Sequence, residues 1–217
     1  MSLFSKIELN NKNYLSLLLA LIPLSFIAGN MIININIILI ILSSLILFKY
    51  EIFKIKYFFL DKLFFLYFFL IIISSFINDY YFFTEGMSWK GHFSSVMKSI
   101  LFIKYLLLYI TLRFLIEKNK VNLKIFFILS TVSTIFVSLD IFFQFFNGKD
   151  IFGFEGQHRK LSGPFGDEFI AGGFIQRFSL FAFFLIPIFF SNHNLNRYNK
   201  YIVVFLFIIF FTTLLLT

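Results

Sequence analysis

Apolar runs recur from one end of this chain to the other, and their length constrains the fold more than any motif. A helix needs about 20 largely apolar residues to cross roughly 30 Å of hydrocarbon. Seven runs meet or approach that length: 14–28, 31–48, 57–77, 96–116, 123–146, 169–190 and 201–217. Hydrophobic residues make up 59% of the 217 positions and charged residues 14%, against about 25% charged in soluble domains. Too little polar surface remains for a soluble domain, a disordered chain or a nucleic-acid binder, despite a net charge of +8. The expectation is an all-α polytopic bundle of about seven spans, with residues 1–217 forming a single transmembrane domain.

Basic residues set the expected orientation. The N-terminus carries Lys6 and Lys12. The connections after the second, fourth and sixth runs carry Lys49, Lys54, Lys56, Lys62, Arg113, Lys118, Lys120, Lys124, Arg197 and Lys200. The opposite side has Lys90, Lys98, Lys149, Arg159 and Lys160, so the split is 12 against 5. The N-terminus is therefore placed in the cytoplasm, with odd-numbered runs leading outward. The surplus of cations suits anionic lipid headgroups. Phe26 occupies the position where a signal-peptide cleavage after Ala28 would need a small residue, so the first run is read as a retained span. A tight Gly29-Asn30 turn joins it to the second. Trp89, near Tyr80 and Tyr81, reads as part of an interfacial aromatic belt.

Absent residue types narrow the chemistry. There is no Cys, which excludes disulfides, thiolate metal sites and Cys nucleophiles. His92, His158 and His193 lie far apart, without metal-ligand spacing. No metal or cofactor is expected.

Ionisable groups inside spans are costly and usually face a bundle interior or a wet cavity. Lys104, Asp140 and Arg177 lie in three consecutive runs. At 1.5 Å per residue each falls about 9–12 Å from the outward end of its run. They either form an ion pair that fixes packing, such as Asp140–Arg177, or converge in one outward pocket. Two cations with one carboxylate favour an anionic ligand. Gln144 lies one turn after Asp140 and shares its helix face.

The outward segment 148–173 holds Gly148, Gly153, Gly156, Gly163, Gly166, Gly172 and Gly173, whereas the rest of the chain has three glycines. Such a loop is built for sharp turns and close backbone approach. Ser162-Gly163-Pro164 reads as a turn. Asp167 and Glu168 open the sixth run, where acidic residues suit a helix N-terminus.

The string Arg159-x-x-Ser162-Gly163-x-Phe165-Gly166-Asp167-Glu168, entering a helix through a pair of small residues, resembles the O-antigen ligase and polymerase family. Asp140-x-x-x-Gln144, Gly148-Lys149-Asp150-x-x-Gly153 and the surroundings of Lys104 are similar to one bacterial branch of it. The resemblance covers the family's N-terminal half. It implies a membrane glycosyltransferase of the C type in the bacterial inner membrane, acting in lipopolysaccharide biosynthesis. The donor would be an undecaprenyl-diphosphate-linked glycan, taken at the periplasmic face. The acceptor would be a saccharide on lipid A-core or on another repeat unit.

By that pattern Arg159, with Arg177 and Lys104, would bind the carrier diphosphate. Guanidinium suits this because its fixed donors fork onto phosphate oxygens. Asp140, Gln144, Ser162, Gly163, Gly166, Asp167 and Glu168 would support them. The family's later periplasmic loop, with its acceptor-activating His, has no counterpart here, so the general base is expected outside this chain. The final run stops after about 17 residues, which suggests the N-terminal part of a larger protein. Two alternatives remain: a flippase or exporter of lipid-linked glycans, or an inactive truncated remnant.

Overall fold

A backbone passing through hydrocarbon has no water to bond, so its amides and carbonyls must be satisfied within the chain. The helical design follows from that requirement. The computed structural model describes residues 3–84, 94–156, 161–166, 168–190 and 196–217. Among these, every element is helical: α1 Leu3–Ala20, α2 Ile22–Ile27, α3 Asn30–Phe48, α4 Phe59–Thr84, α5 Ser94–Glu117, α6 Leu123–Asn147, α7 Ala171–Phe190 and α8 Asn196–Leu216, with 3-10 turns at Lys49–Phe53 and Gly163–Phe165. Each of the seven apolar runs has become helix, and only the first is broken.

Among the described residues, four stretches are long and apolar enough to cross a membrane: Asn30–Phe53, Phe59–Tyr81, Ser95–Glu117 and Leu123–Asn147. Asn11–Ile27 and Tyr201–Leu216 are shorter apolar helices. Exposure makes the same point as length. Only 11% of the apolar stretch of α4 is buried within the protein, and Phe59, Phe69, Phe76 and Ile77 all stand exposed. A helix apolar on every side and left uncovered belongs in lipid. The chain is a helical membrane protein.

Two compact units form, Met1–Asn36 with Val121–Thr217, and Ile37–Lys120. In the first, α6 is the hub: α1, α2, α7, α8 and the Gly163–Phe165 turn all pack on it. Its buried positions Phe126, Ser130, Ser133, Thr134, Val137, Ser138, Ile141 and Gln144 recur at helical spacing. Most are small, which lets neighbouring backbones approach in the absence of a hydrophobic drive between helices. Thr134 Oγ1 donates to the Ser130 carbonyl at 2.7 Å and Ser138 meets Thr213 Oγ1 of α8 at 3.5 Å, whereas the Ser130 and Ser133 hydroxyls have no hydrogen-bond partner. Gly172 performs the same service on α7, since a Cβ there would stand 2.6 Å from Thr217 Oγ1.

The first run breaks at Leu21 because Pro23, in the first turn of α2, has no N–H to continue the ladder. Asn36 of α3 answers the break. Its Nδ2 donates to the Leu18 carbonyl at 3.2 Å and to Ser25 Oγ at 3.0 Å, while Ser25 Oγ donates to the Leu21 carbonyl at 2.8 Å. Gly29, at φ +111°, makes the turn between α2 and α3.

The second unit is held at one end by Asp61, which is buried. Its carboxylate accepts from the Phe58 amide and from the Tyr109 hydroxyl, both at 2.5 Å, and pairs with Arg113. Arg113 also donates to the Lys56 carbonyl at 2.6 Å and lies over the Phe58 ring. At the other end of α4, Asp79 accepts from the Val96 amide at 2.9 Å, which caps the first turn of α5.

Asn36 is the residue whose loss should be felt most directly in the first unit. Asn36→Leu leaves the Leu18 carbonyl buried without its donor, at a cost of about 1–3 kcal/mol. The unfolding midpoint in detergent should fall measurably, while Ile35→Leu, at an exposed position on the same helix, should leave it nearly unchanged.

Candidate functional site

The loop end of α6 and the start of α7 carry most of the polar residues singled out in the sequence. Asp140 and Gln144, one turn apart on α6, are both fully buried. Among the described residues neither forms an ion pair. Asp140 Oδ1 accepts from the Ile151 amide at 2.9 Å. Gln144 works in both directions: its Nε2 donates to the Phe154 carbonyl at 3.2 Å, and its Oε1 accepts from the Gly163 amide at 2.9 Å. A single side chain thus ties the two strands of the loop to the helix that precedes them.

The first strand of that loop closes on itself. Gly148 ends α6 at φ +77°, and its amide donates to the Gln144 carbonyl at 2.8 Å. The Asp150 amide donates to the Phe154 carbonyl at 2.9 Å, and Asp150 Oδ1 accepts from the Phe154 amide at 2.6 Å. The Gly156 amide returns to the Gly148 carbonyl at 3.2 Å. Outside this ring of bonds Lys149 and Glu155 pair at 2.9 Å, both exposed.

The second strand holds the Ser162-Gly163-x-Phe165-Gly166 string. Gly163 sits at φ +55°, and a Cβ there would meet Ile141 Cγ1 at 3.0 Å. Gly166, at φ +62°, lies against the Phe154 ring, 3.4 Å from where a Cβ would be. Both glycines are required by backbone conformation and close packing. Ser162 is buried, and its carbonyl accepts from the Phe165 amide at 3.4 Å. Phe165 continues inward as an aromatic ladder through Phe174 and Phe178, with Phe26 of α2 alongside.

Beneath the loop lies a groove of about 770 Å³, lined by Leu24, Ile27 and Ala28 of α2, Val132, Ser133 and Phe136 of α6, and Phe152, Phe154 and Pro164 of the loop. Its lining is apolar except for Ser133, whose buried hydroxyl has no hydrogen-bond partner. Two of the three connections expected on the outward side, 29–30 and 147–168, meet at this end of the unit: Asn30 Nδ2 donates to Glu168 Oε1 at 3.5 Å.

Several sequence expectations find a different setting. Asp140 does not pair with Arg177. Its carboxylate is turned into the loop, whereas Arg177 is exposed on α7 along a face shared with exposed Leu180 and Phe184. Glu168 precedes the first residue of α7 by three positions, and its carboxylate reaches Asn30 instead of the α7 N-terminus. Lys104 belongs to the second unit, with its ammonium 5.1 Å from the centre of the Tyr105 ring. Arg159, Asp167, His158 and Trp89 lie outside the described residues. No group of three or more acidic or histidine side chains is gathered among the described residues.

Asp150 escaped the sequence reading as a site residue, although it stands in the same glycine-rich segment. It is 3% exposed, and its Oδ2 has no hydrogen-bond partner. The signal was present in the turn pattern Asp150-x-x-Gly153, in which an Asp bonds its own loop backbone.

Glycine positions give a direct check on the loop. Gly163→Ala forces an L-residue into the left-handed region, at about 1–2 kcal/mol, and presses on Ile141. Its unfolding midpoint should drop and protease cleavage within 148–170 should rise. Gly173→Ala, where a Cβ meets nothing within 4 Å, should leave both unchanged or slightly improved. Compared with protein-family models, curated proteins and solved structures, the chain matches none.

Proposed function

We propose that this protein handles undecaprenyl-diphosphate-linked glycans at the periplasmic face of a bacterial inner membrane, as the donor-binding part of a C-type membrane glycosyltransferase of the O-antigen ligase and polymerase kind. In this reading all seven apolar helices are spans, and the glycine-rich loop faces the periplasm. The acceptor is a saccharide on lipid A-core or on a growing repeat unit, and the base that activates it comes from outside these residues.

One observation carries the reading: an apolar groove of about 770 Å³ runs directly under a polar loop that is tied down at both strands. A polyprenyl diphosphate has the same division, a long apolar chain ending in an anionic head. The groove volume is within the range of small-molecule sites, and its walls offer an isoprenoid chain Phe136, Phe152, Leu24 and Ile27. The head would then lie at the loop whose sequence supplies Arg159 and Lys160, and Arg159 is the residue the resemblance assigns to it. Charge neutralisation of the departing diphosphate is where such a site would contribute most to the reaction. Arg177, exposed on α7, is the second candidate cation.

Undecaprenyl diphosphate binding by the full chain in nanodiscs, followed by native mass spectrometry, tests this. Binding should exceed that of undecaprenol, and Arg159→Ala should weaken it by about 10–100-fold, as for loss of a charge-assisted hydrogen bond. Arg177→Ala should cost less. Equal binding of the alcohol and the diphosphate would remove the proposal. Transbilayer movement of the lipid-linked glycan in proteoliposomes would reassign the site to transport.

A further inference from the structure

Two buried carboxylates at the loop end of α6 are left half-satisfied, and they stand together. Asp140 is 0% and Asp150 3% exposed. Each uses one oxygen on a loop amide: Asp140 Oδ1 on Ile151, Asp150 Oδ1 on Phe154. Each has a second oxygen, Oδ2, that is buried and accepts nothing. The amide that Asp140 holds belongs to the peptide unit leaving Asp150, so the two side chains are neighbours in space.

Buried polar atoms are normally paired, and an exception calls for a cause. An uncompensated buried charge costs several kcal/mol, and two near each other cost more. Three remedies exist. A proton on one carboxyl removes one charge but leaves the other carboxylate charged, with its Oδ2 buried and without a donor. A protein cation would form an ion pair, but among the described residues none does so with either carboxylate, and adjacent Lys149 is turned outward to Glu155. The third remedy is a cation from solution. Hard divalent ions take oxygen ligands, and one or two carboxylates with water or phosphate completing the shell is the usual Mg²⁺ arrangement, whereas Ca²⁺ accepts backbone carbonyls as well.

We propose that Asp140 and Asp150 form a binding site for one hard divalent cation, held between their two free Oδ2 atoms. One divalent ion neutralises the pair and locks the 148–156 turn to α6. Both carboxylates keep their amide bonds while it is bound. Asp140 Oδ2 also points toward Gly163, lying 3.8 Å from where a Cβ would stand, so the ion would sit between the two strands of the loop. The site stands independently of any lipid-linked donor, and its test uses none.

The full chain, freed of metal with a chelator and placed in nanodiscs of zwitterionic lipid, is titrated calorimetrically with MgCl₂ and, separately, with CaCl₂. One ion per chain should bind, with a Kd of about 0.1–1 mM, the range of extracellular calcium modules. The bound ion should also raise the unfolding midpoint, because it binds only the folded form. Asp140→Asn with Asp150→Asn should weaken binding at least tenfold and abolish the midpoint shift. Asn retains the carbonyl oxygen that accepts the Ile151 or Phe154 amide, so the loop geometry survives. If the double variant does not fold, Asp150→Asn alone should show the same loss. Lys149→Gln, which removes the exposed ion pair beside the site, should bind as the wild type does. Absence of binding by either ion, or full binding by the double Asn variant, would overturn the site. So would a double variant that is more stable than wild type while wild type shows no response to either ion.

Discussion

An unpaired amide or carbonyl in hydrocarbon costs several kcal/mol, and that constraint governs this protein wherever its helices stop. Among the described residues, several of these breaks are met by a polar side chain placed to answer them. Asn36 answers the break before α2, where Pro23 interrupts the ladder. Gln144 and Asp140 take the loop amides and carbonyl at the end of α6. Asp61 takes the Phe58 amide at the start of α4 while anchoring Arg113 and Tyr109. These polar residues of an apolar chain are buried because the backbone needs partners there.

The same economy shapes the candidate site. The hub helix α6 presents Ser130, Ser133, Thr134 and Ser138 to its neighbours, so α1, α7 and α8 pack closely against it. Its final turns then switch to Asp140 and Gln144, which face the loop instead of another helix. Rigidity of the loop follows from those two side chains and from glycines at positive φ. The apolar groove next to it follows from the kink at α2, because the short α2 carries Leu24, Ile27 and Ala28 into the lining. A polar, tied-down loop above an apolar trough suits an amphipathic ligand.

Some of this was legible from residues alone. Run length marked where helix forms in each of the seven apolar runs, since hydrophobic length is a local property, but not the helix ends: α1 begins 11 residues before its run and α4 continues 7 past its own. The shared face of Asp140 and Gln144 followed from their spacing of four, and glycine crowding marked the loop as one of sharp turns. The partner of Asp140 was not legible. Coulombic attraction suggested Arg177, but a carboxylate beside a free amide needs no second charge, and the amide of Ile151 is close because the loop folds back. Asp150 was passed over because an Asp in a loop usually bonds its own turn. It does so here, yet with one oxygen only. Asp61 was hidden among lysines at the start of α4, and nothing local announced that Tyr109 and Arg113, one turn apart in α5, would close on it.

What the amino-acid sequence determined by itself is the helical, lipid-embedded character of the chain, the position of each apolar segment and the crowding of glycine into one connection. These depend on near neighbours and on the solvent, so composition and spacing suffice. Only the tertiary structure decided which polar side chain meets which backbone group: Asn36 with Leu18, Gln144 with Phe154 and Gly163, Asp140 with Ile151. It also decided that two carboxylates would be buried side by side with an oxygen free on each. Hydrogen bonds are short and directional, and the residues that make them here are brought within reach by turns whose path no periodicity encodes.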